Sequence, residues 1–294
     1  MRKIGALEAG GTKMVLAVYD ENGQELERMT IPTETPEKTM PAMIDFFRTR
    51  EVDALGVGSF GPLDLDPASP TYGNITSTPK LAWKDYPLLK NLLDGRELPA
   101  GIDTDVNAAI IAEVEMGAAR GCESAVYITV GTGIGGGVYV NGKTAHGLLH
   151  PEVGHMLLRP LPDDPIPHGV CPYHDGCLEG LAAGPAIGAR IGGDAKNLPD
   201  DHPVFQMEAH YLAQMCVNLI TTLSPQRIVL GGGVMQRENI LPMVRKETVR
   251  LLGGYVQSPM ITEKIDEYIV APELFPVSGL VGSFLIGLRA LREA

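Results

Sequence analysis

The sequence contains little cysteine, no excess of positive charge and no long apolar run. Four cysteines among 294 residues cannot form a disulfide framework, so we expect reduced thiols and a cytoplasmic location. A formal net charge of −12 disfavours nucleic acid or an anionic membrane as a partner. The N-terminus lacks the apolar core of a signal peptide, and the apolar stretch 277–288 is shorter than the roughly 20 residues of a membrane helix.

Two segments of the chain follow the same plan. Residues 3–23 and 125–143 each contain an apolar run, a glycine-rich bend, a second apolar run and an Asn-Gly turn. Each pattern predicts a β-hairpin with a glycine-rich tip, and the pair indicates two related α/β domains, although coincidence of two such hairpins is the alternative. We place the domains at 1–117 and 118–294, with a C-terminal helix at about 280–294 that can pack back on the first domain.

The glycine-rich tips are candidates for binding phosphate. The stretch GTGIGG at 131–136 matches the G-x-G-x-x-G pattern of dinucleotide-binding folds. That fold requires a helix directly afterwards, but the sequence here predicts a strand. Bare backbone amides at such a tip can approach phosphate oxygens closely. Three such places predict a nucleotide cleft between the domains. Their residues are Gly10, Gly11, Thr12 and Lys13, then Thr132 and Gly133, and finally Gly231, Gly232 and Gly233 followed by Val234 and Met235.

Acidic side chains stand where a predicted strand passes into a helix that the sequence predicts from about Val106 to Arg120, ended by Gly121. Asp103, Asp105 and Asn107 lie at this junction, and phosphoryl transfer requires a carboxylate that takes the proton of the acceptor. The alternative is a helix cap in which Thr104 or Asp105 accepts bonds from free amides. Glu8, just before the first glycines, is a candidate for holding magnesium, or else a solvated residue at a strand end.

Residues 150–180 form a loop without clear periodicity that is rich in proline, histidine and cysteine. Cys171, His174 and Cys177 have ligand types and spacing that zinc favours, and His155 supplies a fourth ligand of a closed structural site. We expect zinc to order this loop without taking part in chemistry. The alternatives are ordinary buried contacts or a disulfide, and the spare histidines are His146, His150 and His168.

Five motifs in order resemble the ROK family of sugar kinases and repressors: LEAGGTK, TDVNAA, VGTGIGGG, HPEVGH…CPYHDGCLEG and VLGGGVM. The resemblance implies an α/β protein of two ribonuclease-H-like (actin-like ATPase) domains with an interdomain cleft for ATP and a sugar. It implies that Asp105 is the general base. It also assigns Asn107, Glu152, His155 and Glu179 to the sugar, and Thr132, Pro185 and glycines 231–233 to ATP.

Within that family the bacterial fructokinases are most similar, which implies phosphorylation of D-fructose to D-fructose 6-phosphate with ATP and Mg²⁺, and zinc in the loop. The chain has Glu8 where many members have aspartate, and His174 where a common zinc pattern has cysteine. The alternatives are a kinase for glucose, mannose or an N-acetylhexosamine, and a sugar-responsive repressor, which would need a helix-turn-helix segment before the first hairpin. We further expect a homodimer.

Overall fold

The computed structural model describes all 294 residues, which divide into two α/β units. Unit 1 contains residues 1–115, 144–151 and 276–294, and unit 2 contains 116–143 and 152–275. The first segment of unit 1 ends at Glu115, whereas the sequence places the boundary between 117 and 118. The short segment 144–151 belongs to unit 1, as does the C-terminal helix.

Unit 1 contains a five-stranded sheet that begins with the first predicted hairpin. Its strands are β1 (Lys3–Ala9), β2 (Lys13–Asp20), β3 (Glu25–Pro32), β4 (Ala54–Ser59) and β5 (Ala100–Thr104), in the spatial order β3-β2-β1-β4-β5. Strand β1 is antiparallel to β2 and parallel to β4, which is parallel to β5. The carboxyl ends of β1, β4 and β5 therefore share one edge, where Ser59 lies beside both Ala9 and Thr104.

Unit 2 repeats this strand order. Its sheet has the strands β6 (Ala125–Val130), β7 (Ile134–Val140), β8 (Lys143–Thr144), β9 (Arg227–Gly231) and β10 (Ile269–Val270), in the order β8-β7-β6-β9-β10. Thr144, the second residue of β8, is the point at which the chain passes back into unit 1. Strand β6 is antiparallel to β7 and parallel to β9, which is parallel to β10. Both predicted hairpins and the predicted pair of related α/β domains are thus confirmed.

Ten α-helices complete the two units. They are α1 (Pro36–Thr49), α2 (Leu88–Leu93), α3 (Asp105–Glu115), α4 (Leu178–Ala182), α5 (Gly184–Ile191), α6 (Val204–Leu223), α7 (Ile240–Leu252), α8 (Pro259–Thr262), α9 (Ile265–Tyr268) and α10 (Ser278–Glu293). Helix α3 is shorter than the helix from 106 to 120 that the sequence predicts, because Gly117 disfavours continuation. No helix combines the length and the apolar character needed to cross a membrane.

The core of unit 1 has two sides. One face of the sheet packs on α1 through Met43, Phe46 and Phe47, and the other packs on α10 through residues that include Leu280 and Phe284. Helix α10 also lies directly against α3: a Cβ at Gly282 would lie only 1.7 Å from the carbonyl oxygen of Ala108. This backbone contact fixes the helix whose first residue is Asp105.

We expect Gly282→Ala to lower the free energy of unfolding by about 3 kcal/mol, because the added methyl group forces α10 away from α3. Urea unfolding of this variant beside Gly193→Ala provides the measurement, since a Cβ at Gly193 meets nothing within 4 Å. Equal midpoints for the two variants would contradict the close approach of α10 and α3.

Candidate active site

Asp105 is the first residue of α3, at the shared carboxyl edge of the parallel strands in unit 1. Its Oδ1 accepts a hydrogen bond from the amide of Val106 at 2.9 Å. The helix cap is Thr104 instead, whose hydroxyl accepts from the amide of Asn107 at 3.0 Å. Removal of water from around the carboxylate raises the pKa of Asp105 to about 6. Asp105 is therefore not committed to capping, and its basicity suits proton abstraction near neutral pH.

Asp103 is tied into its surroundings. Its Oδ1 accepts from the amide of Thr104 at 2.8 Å and from Nδ2 of Asn107 at 2.7 Å, and Nε2 of His146 lies 3.1 Å away. Its Oδ2 accepts from the hydroxyl of Thr144 at 3.0 Å. Asp103 thus orients its neighbours and has little capacity left to act as a base. The side chain of Asn107 is buried, and its Oδ1 has no hydrogen-bond partner.

Glu8 lies near the end of β1, two residues before the first glycine-rich tip. Burial raises the pKa of its carboxyl group to about 7, and the charge of Asp105 adds to the increase, while Lys13 opposes it. Glu8 and Asp105 therefore lie close enough at this edge for their charges to interact.

The first tip, residues 10–12, has two backbone amides without a protein partner. The amide of Gly10 donates to the carbonyl of Lys13 at 3.0 Å, and the hydroxyl of Thr33 donates to the carbonyl of Gly10 at 2.8 Å. These bonds fix the turn and leave the amides of Gly11 and Thr12 without a protein acceptor. Lys80, which the sequence did not single out, extends its side chain to Gly11. Its only signal in the sequence is its place directly after Pro79.

The second tip, residues 131–133, meets two further predicted nucleotide-binding segments within unit 2. The amide of Gly184 at the start of α5 donates to the carbonyl of Gly131 at 2.8 Å, which brings Pro185 beside the tip. Gly232 directly follows β9 and has φ of +95°. It lies so close to the end of β6 that a Cβ there would be 2.4 Å from the carbonyl oxygen of Val130. Three backbone segments thus converge at the carboxyl ends of β6 and β9. Residues 234–236, which include Val234 and Met235, form a short 3-10 helix directly after the last glycine.

Glu179 connects this tip to the loop that carries the predicted metal ligands. It is the second residue of α4, and its Oε2 accepts from the amide of Ile134 at 2.9 Å, immediately after Gly133. A Cβ at Gly133 would lie 2.7 Å from that oxygen, so the glycine is required for the contact. Glu179, predicted to contact sugar, therefore also holds the hairpin tip.

The four predicted metal ligands His155, Cys171, His174 and Cys177 lie together, with their ligand atoms within 4.8 Å of one another. Nδ1 of His155 is 4.0 Å from Sγ of Cys171 and 3.8 Å from Sγ of Cys177. Nδ1 of His174 is 3.7 Å from Sγ of Cys171. Tetrahedral zinc, with bonds of about 2.1 Å to nitrogen and 2.3 Å to sulfur, separates such atoms by about 3.6 Å. The chemistry and spacing of these four groups thus fit zinc.

The spare histidines lie elsewhere. His146 pairs with Asp103, and this hydrogen bond raises its pKa. His150 accepts a bond from the amide of Leu63 at 3.0 Å, and burial lowers its pKa, in agreement with a neutral ring. His168 pairs with Asp175 at 2.9 Å. His146 and His150 hold residues 144–151 against the rest of unit 1.

A short 3-10 helix, Val153–His155, carries His155. It packs on β7 so closely that a Cβ at Gly154 would lie 1.8 Å from the carbonyl oxygen of Ile134. Glu152 precedes this helix, and its carbonyl accepts from the amide of His155 at 3.0 Å. With Nδ1 directed at the cysteines, Nε2 of His155 is the ring nitrogen left to face a ligand.

The chain is similar to known sugar kinases along nearly its whole length. The model of the ROK family matches residues 4–289. A fructokinase of Pediococcus pentosaceus is 45% identical over 291 residues, covering 99% of each protein. A fructokinase of Zymomonas mobilis is 41% identical over 297 residues, covering 97% of this chain and 96% of the relative. The solved structure of a ROK hexokinase from Thermus thermophilus has a TM-score of 0.77 and 28% identity, covering 99% of this chain and 100% of that one.

The raised pKa of Glu8 generates a pH-dependent prediction. Between its unfolded value of 4.5 and its folded value of about 7, the unfolded chain releases the proton that the folded chain retains. The contribution of Glu8 to stability is therefore most favourable below pH 4.5 and decreases as pH rises to about 7. Relative to Glu8→Gln, we expect the wild-type urea midpoint to fall across this range and then level off. Glu97→Gln, at an exposed position, is the control, and a flat difference for Glu8→Gln would contradict the prediction.

Proposed function

We propose that this chain, which belongs to the ROK family, is an ATP-dependent fructokinase that converts D-fructose to D-fructose 6-phosphate. The observation that carries the proposal is similarity to fructokinases at 41% and 45% identity over at least 97% of the chain. The position of Asp105 beside a glycine-rich tip supports it, since phosphoryl transfer requires a base near a phosphate-binding turn.

In the proposed reaction Asp105 takes the proton of the fructose 6-hydroxyl. The hydroxyl oxygen forms a bond with the γ-phosphorus, and the bond from that phosphorus to the bridging oxygen breaks, so that ADP leaves with the electron pair. Asp103 contributes indirectly, because its bonds to Thr104 and Asn107 orient the first turn of α3.

The sugar-binding role falls to Asn107, Glu152, His155 and Glu179. A sugar hydroxyl would give the buried Oδ1 of Asn107 the hydrogen-bond donor that the protein does not supply. Nε2 of His155 would face another hydroxyl while Nδ1 meets the metal. These groups discriminate between hexoses through hydroxyl positions, since a buried polar group left unpaired is costly.

The nucleotide-binding role falls to glycine-rich turns. In unit 1 these residues are Gly10, Gly11, Thr12 and Lys13. In unit 2 they are Thr132, Gly133, Pro185, Gly231, Gly232, Gly233, Val234 and Met235. Backbone amides at both tips and at the start of α5 attract phosphate oxygens.

Two metals complete the proposal. Zinc would be held by His155, Cys171, His174 and Cys177, with four protein ligands and no chemical role. It would fix the orientation of the His155 ring. Magnesium, bound with ATP, would neutralise charge on the phosphates, and the repelling carboxyl groups of Glu8 and Asp105 suit its presence in unit 1.

Asp105→Asn should fold normally and lose roughly 10²- to 10⁴-fold in kcat, since the amide cannot accept the proton.

In the wild type, kcat/KM for fructose should rise with pH through about 6 and then level off, because the base must be deprotonated. A coupled ADP-release assay with a panel of hexoses measures the kcat of Asp105→Asn and the pH profile of the wild type. Near-normal turnover by Asp105→Asn would contradict its role as base, and preference for another hexose would reassign the substrate.

Cys177→Ser should lower zinc content from about one ion per chain and weaken fructose binding by about 10- to 100-fold, with a smaller effect on ATP binding. Metal analysis of purified protein and calorimetric titration of each ligand provide the measurements. Cys122→Ser is the matched control, because Cys122 lies outside the ligand cluster. Active protein purified without zinc would exclude the metal role, and full fructose affinity after verified zinc removal would exclude its effect on the sugar.

A further inference from the structure

Lys80 extends across the first glycine-rich tip. A Cβ at Gly11 would lie 3.2 Å from Cε and 3.8 Å from Nζ of Lys80, so the end of this side chain packs directly on the glycine. The lysine is half-buried and makes no ion pair. Its ammonium lies 5.9 Å from the ring centroid of Phe60, whose amide donates to the carbonyl of Ala9 at the end of β1. A cation without a carboxylate partner therefore lies over a turn with two unpaired amides.

The segment that carries Lys80 is firmly anchored. Lys80 precedes a short 3-10 helix, Leu81–Trp83, and its carbonyl accepts from the amide of Trp83 at 2.7 Å. The ring of Trp83 is 1% exposed, and its Nε1 donates to the carbonyl of Glu34 at 2.7 Å. The same ring packs edge-on against Phe60 at 6.0 Å between centroids. A lysine whose backbone is held this way is pre-organised, so it binds an anion at a lower entropic cost.

The corresponding tip of unit 2 has the opposite charge beside it. There the carboxylate of Glu179 already accepts from an amide at the tip. The first tip has no carboxylate in that position and has Lys80 instead. The first turn therefore presents two free amides and a lysine to a negative ligand, while the carboxyl groups of Glu8 and Asp105 lie at the same strand edge.

We propose that Lys80 contacts the phosphoryl group in transfer and stabilises the negative charge on its oxygens. The inference rests on the proposed function and extends it by a residue outside the predicted site. Lys80 releases and accepts no proton in this role, since it acts as a fixed positive charge while the phosphorus exchanges one oxygen partner for another.

The test compares Lys80→Met, Lys80→Arg and the control Lys84→Met, which removes an exposed lysine from the same loop. Lys80→Met should lower kcat by about 10²- to 10³-fold. It should weaken binding of a non-hydrolysable ATP analogue with Mg²⁺ about tenfold, and leave fructose affinity without nucleotide unchanged. Lys80→Arg should recover much of kcat, and Lys84→Met should match the wild type.

Wild-type kcat and analogue affinity in Lys80→Met would overturn the proposal. Equal loss of fructose and analogue binding would also overturn it, because it would mean that the residue only supports the loop. If the wild type phosphorylates no hexose, the proposed function fails. The titration with the ATP analogue then still decides whether Lys80 contacts the phosphate groups. Unchanged analogue affinity in Lys80→Met then rejects the phosphate contact, and weakened affinity supports it.

Discussion

Parallel pairing of β1, β4 and β5 is the constraint on which the active site of unit 1 depends. Because the three carboxyl ends meet at one edge, residues distant in sequence converge there: Glu8, the tip at Gly10–Thr12, Phe60 and Asp105. Helix α10 holds this arrangement by packing on β4 and α3 at glycine positions, including Gly56 and Gly282. The location of the acidic groups is therefore a product of sheet topology, and the close helix contacts make it rigid.

Unit 2 has the same strand order, but different groups lie at the carboxyl ends of its parallel strands. Its hairpin tip meets the start of α5 and the turn after β9, so backbone amides and carbonyls dominate there. The loop with the four candidate metal ligands lies beside the same tip, through Glu179 and through the 3-10 helix that carries His155. Two similar sheets thus support different chemistry because different loops follow corresponding strands.

Local patterns predicted the parts of the molecule that local sequence determines. Both hairpins, the strand-to-helix junction at Asp105 and the set His155, Cys171, His174 and Cys177 could be found from spacing and residue type. The sequence could not distinguish Thr104 from Asp105 as the cap, because the choice depends on side-chain orientation. It also could not find Lys80 or place residues 144–151 in unit 1, since these depend on contacts with residues far away in the chain. Helix α3 ends at Glu115 for a local reason, since Gly117 disfavours continuation of the helix.

The position of Glu179 has a thermodynamic consequence. Its carboxylate holds the amide of Ile134 at the hairpin tip and, in the proposed function, also meets the sugar. If one carboxylate contacts both the sugar and the tip that binds nucleotide, binding at one site would be coupled to binding at the other. Such coupling is reciprocal: whatever factor the sugar applies to nucleotide affinity, the nucleotide must apply to sugar affinity. Substrate binding would then be a property of the pair of ligands, with a shared free energy that belongs to neither alone.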